Sequence, residues 1–161
     1  MRKLMLLTAV VAFVFGGFAL SLSTAPANPS GSGAHEKQFM NLEYFPKPSG
    51  YTHVVTSTPG RMIFLSGSGG HSPNGKLPDD FTTQAHNVFK NLQNGLKMAG
   101  ATFKDVVKIT YFMTNINDLT KLRQVRENYL NMAAPPAASA VETGLSGGML
   151  LEVELIAIVP E

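Results

Sequence analysis

The chain contains no cysteine among its 161 residues. This absence excludes thiol nucleophiles, iron–sulfur clusters and cysteine-ligated zinc, and the fold uses no disulfide. Other chemical signatures are missing too. The four histidines lack metal-site spacing, and the Gly67–Gly70 loop lacks the Lys-Ser/Thr of a phosphate-binding loop. The sequence therefore predicts no metal site.

The first 27 residues have the layout of a secretory signal peptide. Arg2 and Lys3 form a positive start, residues 4–20 are almost wholly apolar, and Ala25-Pro26-Ala27 has the small-x-small form of a cleavage site. The alternative is an uncleaved N-terminal anchor, because the apolar run is about the minimum length for a membrane span.

The predicted organisation is a signal peptide at 1–27, a flexible linker at 28–38 and one domain at 39–161, in the periplasm or secreted. The leader holds two of the 13 basic residues and none of the 11 acidic ones, so the remainder carries eleven of each. A mature protein of near-neutral charge gives no indication of nucleic-acid binding. We also expect no membrane association after cleavage.

Hydrophobic periodicity predicts two helices and several strands. Apolar residues at helical spacing indicate helices over 81–99 and 118–132. We expect residues 51–66 to form a hairpin around Pro59-Gly60. The resulting order places both helices on one face of a mixed sheet, which is a two-layer α+β domain. The strands are predicted at 39–45, 50–56, 61–66, 106–113, 139–143 and 149–159.

The last strand has two contrasting faces. Leu151, Val153, Leu155 and Ala157 share one face, and the other carries Glu152, Glu154, Ile156 and Ile158. Isoleucines on the face away from the helices are unfavourable in water, so we expect an oligomer to cover that face.

Several segments together resemble one known family. Asp105–Thr110 (DVVKIT) is similar to the DVVKxT motif of the RidA/YjgF family, and Pro135–Glu142 is similar to its PPARSxVE. The resemblance extends over roughly 47–159 with the motifs in the same order. Further matching segments are Gly50–Val55, Arg61–Gly67, Gln84–Gly100, Thr114–Leu119 and Leu151–Ala157.

The resemblance implies a chorismate-mutase-like α+β fold assembled as a homotrimer, with clefts between neighbouring subunits. Catalytic members of the family hydrolyse 2-imino or 2-enamino acids to 2-keto acids and ammonia without a cofactor. The small-molecule ligand is then expected to be a 2-imino or keto acid, or a related compound.

The family's site residues can be placed on this sequence. Glu152 matches the glutamate that activates water, a task for which a carboxylate is suited. The alternatives are a solvated glutamate at 152, a packing role for Tyr51 and a helix cap at Asn117. The positions that match the substrate-binding cleft are Tyr51, Ser66, Gly67, Asn117, Ala138 and Ala140.

Ala138 stands where the family has the arginine that holds the substrate carboxylate. An alanine methyl cannot form that bidentate pair. Two readings stay open: an imine or enamine deaminase of the RidA type, or a non-catalytic trimer that binds a ligand or modulates a partner. A third, RNA cleavage, has no support from the charge. The remaining arginines of the domain, none at the matching position, are Arg61, Arg123 and Arg126.

Overall fold

The computed structural model describes residues 36–161. The predicted signal peptide, the anchor alternative and residues 28–35 of the predicted linker lie outside this range. Between residues 36 and 161, no helix combines the length and apolar character needed to cross a bilayer.

Eight main elements make up the domain. The strands are β1 (Lys37–Met40), β2 (Val54–Ser57), β3 (Arg61–Gly69), β4 (Val106–Met113), β5 (Ala137–Glu142) and β6 (Leu151–Val159). The helices are α1 (Phe81–Met98) and α2 (Leu119–Arg126), and short 3-10 turns precede β4 and α2 at Phe103–Asp105 and Ile116–Asp118.

Four strands form a mixed sheet in the order β3-β6-β4-β5. Strands β4 and β5 run parallel, whereas β6 is antiparallel to both of its neighbours. The buried face of the sheet and the apolar sides of both helices form one core, which includes Phe89, Leu122 and Leu155. The predicted α+β architecture with a mixed sheet is confirmed.

The predicted hairpin over 51–66 is wrong. β2 pairs with β1 in a separate two-stranded antiparallel sheet, and β3 pairs with β6. The turn at Pro59-Gly60 sets only the local direction of the chain, whereas pairing with β6 lets β3 bury more apolar surface. There Ile63 is buried against the core, and Leu65 packs on its edge.

Helix α1 follows the predicted signals closely. The side chain of Asp80 accepts a hydrogen bond from the Thr83 amide at 2.8 Å, which satisfies one free N–H of the first turn. Gly100, at φ 69°, follows the last turn in the left-handed conformation that glycine favours.

The second helix is shorter than predicted, ending at Arg126 instead of 132. The amides of Tyr129 and Leu130 both donate to the Arg126 carbonyl at 2.9 Å, so the chain tightens into a turn there. The helix cap considered at Asn117 is wrong, because Asp118 occupies the N-cap position. Asp118 makes no side-chain cap bond, and Asn115 instead accepts from the Asn117 amide in the preceding 3-10 turn.

The two faces of β6 differ as predicted. Its buried positions alternate with exposed or half-buried ones along the whole strand. Pairing with β3 sets Phe64 beside Ile156 and Met62 beside Ile158 on the face away from the helices. Phe64 is 68% exposed and Met62 is 53% exposed, so the outer face of the sheet is apolar in the isolated chain.

Candidate functional site

The Glu152 carboxylate lies against the backbone of β3. The β3–β6 register shifts between Leu65 and Ser68, so an extra residue bulges from β3 at this point. A Cβ at Gly67 would overlap the Glu152 carboxylate, so glycine leaves room for the carboxylate where it lies. The structure therefore brings Ser66 and Gly67 of the bulged strand β3 close to the carboxylate of Glu152.

A cavity of about 450 Å³ lies on the outer face of the sheet beside Ser66. Phe64 and Ile156 form its apolar part. Lys108 also lines it, and burial lowers the pKa of this lysine while the nearby Glu154 opposes the shift. Its ammonium donates to the Ser139 hydroxyl at 2.9 Å. This groove is open to solvent on the face where sequence analysis expects a second subunit.

Tyr51, Ala138 and Ala140 meet at a different place. They line a cavity of about 270 Å³ beside β5, at the edge of the sheet. Thr52 holds the Tyr51 segment there, because its amide and hydroxyl donate to the carbonyls of Pro136 and Pro135 at 3.2 and 2.7 Å.

Two arginines of α2 line the same cavity. Arg123 and Arg126 are three residues apart on the helix and so project from one side of it. Arg126 is only 4% exposed, and its Nη2 donates to the Ser49 carbonyl at 2.9 Å. A Cβ at Gly50 would overlap this nitrogen, and Gly50 also has φ 73°. The Ser49–Gly50 turn thus fixes the guanidinium in place.

The polar groups around Arg126 are not fully satisfied. In the part of the chain that the structure describes, its Nε and the Tyr111 hydroxyl are both buried without a hydrogen-bond partner. Burial raises the pKa of Tyr111 to about 12, with the positive charge of Arg126 acting in the opposite direction. Two neighbouring buried polar atoms at this cavity therefore keep hydrogen-bonding capacity that the described residues do not use.

The predicted site residues thus fall into two groups on one chain. Glu152, Ser66 and Gly67 belong to β3 and β6, whereas Tyr51, Ala138 and Ala140 lie along β5, and Glu152 does not line their cavity. Asn117 joins neither group; it lies in the exposed turn before α2, where its amide donates to Asn115.

Comparison with known proteins identifies the family of this chain. Residues 45–159 match the family described as Endoribonuclease L-PSP, the RidA/YjgF family. The chain belongs to this family.

The relatives include a RutC family protein of Pyrococcus abyssi, which is 31% identical over 124 residues, covering 75% of this chain and 96% of that protein. The mouse 2-iminobutanoate/2-iminopropanoate deaminase is 33% identical over 100 residues, covering 61% of this chain and 74% of that protein. The crystal structure of RidA from an Antarctic Psychrobacter matches with a TM-score of 0.60 and 29% identity, covering 76% of this chain and 99% of that one.

Sequence reasoning missed the placement of the two α2 arginines in this RidA-family chain. The match to the family motif puts alanine at position 138, and Arg123 and Arg126 are distant from that position along the sequence. The available signal was the i, i+3 spacing of Arg123 and Arg126 beside the core residues Leu122 and Val125. That spacing leaves at least one arginine close to the buried face of the helix.

Of the three histidines within residues 36–161, only His53 has a ring contact with a predicted site residue. Its Nδ1 accepts from the Leu42 amide at 3.0 Å, so the proton resides on Nε2, which is buried without a partner. Its ring packs edge-on against Tyr51 and Phe45. No three histidine, aspartate or glutamate side chains within 36–161 are grouped to hold a metal ion.

The close fit of Gly50 over Arg126 makes a stability prediction. Gly50→Ala should destabilise the fold by more than Gly75→Ala, because both positions have positive φ but only position 50 lacks room for a methyl. We expect about 1 kcal/mol for Gly75→Ala and a greater loss for Gly50→Ala. Urea denaturation of the purified variants measures both. Gly144→Ala, at an ordinary φ in open space, is the control and should change little. Equal losses at positions 50 and 75 would contradict the proposed fit.

Proposed function

We propose that this chain is an exported homotrimer of the RidA family that binds a small 2-imino or 2-keto acid in clefts between subunits and hydrolyses imines there. The observation that carries the proposal is the Glu152 carboxylate held against the Gly67 bulge. A deaminase of 2-iminobutanoate and 2-iminopropanoate among the relatives supports the substrate class.

The two separate groups of site residues support the assembly. A cleft that needs Glu152, Ser66 and Gly67 together with Tyr51 and Ala140 is incomplete on one chain. A neighbouring copy that covers the outer sheet face would bury Phe64 and Met62 and bring the second group to the first. Trimerisation therefore accounts for both the exposed apolar face and the divided site.

Imine hydrolysis at such a cleft needs one water and no redox step. Glu152 takes a proton from the water as its oxygen attacks the C=N carbon, which gives a carbinolamine. The proton then passes to the amine nitrogen, the C–N bond breaks, and ammonia leaves as the C=O bond forms. The products are a 2-keto acid and ammonia, and the glutamate returns to its starting state.

The alternative is a trimer that binds the same class of ligand without turning it over. Ala138 favours this alternative, because it removes the arginine with which the family holds the substrate carboxylate. Export also favours it, since a secreted protein meets other compounds than a cytoplasmic one. Both readings share the fold, the cleft and the small acidic ligand.

Imine hydrolysis is tested directly with imino acids generated in situ by an amino acid oxidase. We expect faster keto-acid formation than in buffer, and a loss of about 100-fold or more in Glu152→Gln, because the amide cannot accept the proton. Glu161→Gln, at an exposed position nine residues beyond Glu152, is the control. No acceleration by the wild-type protein would leave the non-catalytic alternative, and an active Glu152→Gln variant would refute the role of Glu152.

The assembly is tested by native mass spectrometry. Phe64→Glu puts a charge on the outer sheet face and should convert the trimer to monomer. Met98→Glu makes the same change on α1 at a methionine that is 90% exposed, and should leave the trimer intact. A wild-type monomer, or a trimer that survives Phe64→Glu, would disprove this interface.

Export is tested by fractionating cells that express the full chain. We expect the periplasmic or secreted fraction to hold a protein whose N-terminus lies near Asn28. A full-length cytoplasmic protein would contradict the assignment, and a full-length membrane-bound one would establish the anchor.

A further inference from the structure

Arg126 is a buried cation with no anion beside it. Its side chain is almost fully enclosed, yet no carboxylate of the described residues lies within ion-pair distance of it or of Arg123. No acidic side chain lines their cavity either. Burial of an unpaired guanidinium is costly, so such a group is normally matched by a counter-charge. Two cations facing one empty space make that cost larger and point to an anion from outside the chain.

The cavity beside Arg126 has room for a small molecule. Its volume of about 270 Å³ exceeds what one water needs, and it opens between α2 and the exposed part of β5 at Ser139 and Ala140. Alanine at 138 keeps this space free, because a long side chain there would project toward the core side of the sheet, where Tyr111 and Arg126 lie. The small residue at 138 and the arginine at 126 are therefore structurally linked.

The groups around the cavity suit a planar carboxylate. The guanidinium of Arg126 is held at one end by Ser49, which leaves Nε free to donate. The Tyr111 hydroxyl, kept neutral by its raised pKa, offers a second donor. The ring of Tyr51 supplies an apolar wall for the remainder of a short ligand. Arg123 lies at the half-exposed mouth, where it would attract an anion from solvent.

We propose that Arg126, assisted by Arg123, is the carboxylate clamp of this protein, reaching from α2 of the same chain into the space that Ala138 leaves open. The ligand class is a small 2-oxo or 2-imino monocarboxylate. This inference rests on the proposed function for the identity of the ligand, whereas the anion site follows from the buried, unpaired charge alone.

Binding of pyruvate to the full chain tests the clamp by isothermal titration calorimetry. We expect Arg126→Gln to weaken pyruvate binding at least 30-fold and Arg123→Gln to weaken it less. Lys121→Gln removes an equal charge from the exposed side of α2 and should not change binding. Methyl pyruvate, which lacks the charge, should not bind, and inorganic phosphate should bind more weakly than pyruvate.

A rescue experiment separates loss of the clamp from loss of the fold. Because Arg126 is buried, circular dichroism and urea denaturation first establish that Arg126→Gln is folded; if it is not, Arg123→Gln at its half-exposed position carries the test. Adding Ala138→Arg to the Arg126→Gln variant should restore pyruvate binding, since it returns a guanidinium to the same cavity. Ala138→Arg in the wild-type background should not improve binding, because the cavity already holds two arginines.

The outcomes distinguish this inference from the hydrolytic function. Loss of pyruvate binding in the arginine variants without any imine turnover by the wild type would support the clamp and refute hydrolysis. Imine turnover whose KM is unaffected by Arg126→Gln would refute the clamp and leave hydrolysis standing. Wild-type protein that fails to bind pyruvate, or that binds phosphate equally well, would overturn the assignment to a carboxylate.

Discussion

The alternation of side chains along β6 is the constraint on which the rest of the domain depends. β6 lies between β3 and β4. The face on which its apolar side chains lie therefore decides which side chains of the two neighbouring strands are buried. Leu151, Val153 and Leu155 face the helices and form the centre of the core, and the intervening glutamates are thereby forced to the opposite face. A one-residue slip would bury Glu152 and expose the leucines, so core packing and the position of the carboxylate are fixed by the same register.

The bulge in β3 is a second consequence of that register. Once Glu152 is directed to the outer face, its side chain lies over the neighbouring strand, and a regular strand with side chains at 66–67 would crowd it. The extra residue and the glycine relieve this contact. Gly67 thus leaves the space that the Glu152 carboxylate occupies, which links two of the matching family segments in the fold.

Much of this could be predicted from sequence, and the failures have identifiable physical causes. The helix α1, the strand β4 and the two faces of β6 follow from local periodicity and capping residues, which act over a few positions. The pairing of β2 with β1 does not follow from local signals, because burial of residues distant in sequence decides which strands pair. The Pro59-Gly60 turn is compatible with more than one partner. For the site, Glu152 and Ser66-Gly67 were recognised as parts of one motif set. The arginines of α2 were not, since their nearness to Ala138 arises only when α2 packs under β5.

The positively charged residues of the candidate site belong to one group of residues and the carboxylate of Glu152 to the other. The cations Arg123 and Arg126 and the ring of Tyr51 line one cavity of a single chain, and the Ser49 carbonyl holds Arg126 there. Under the proposed function, this group would bind the acidic end of the ligand. The carboxylate of Glu152 does not line that cavity, so proton transfer in the proposed mechanism would need a second copy of the chain. In this arrangement affinity is a property of the subunit and chemistry is a property of the assembly. An arginine at position 138 would carry its guanidinium on β5, at the sheet itself. An arginine on α2 is fixed by helix packing instead. It would therefore draw the ligand closer to the core and farther from the proposed subunit boundary. Under the proposed function, the depth at which the ligand carboxylate is held would therefore govern whether Glu152 of a second copy can reach the C=N carbon.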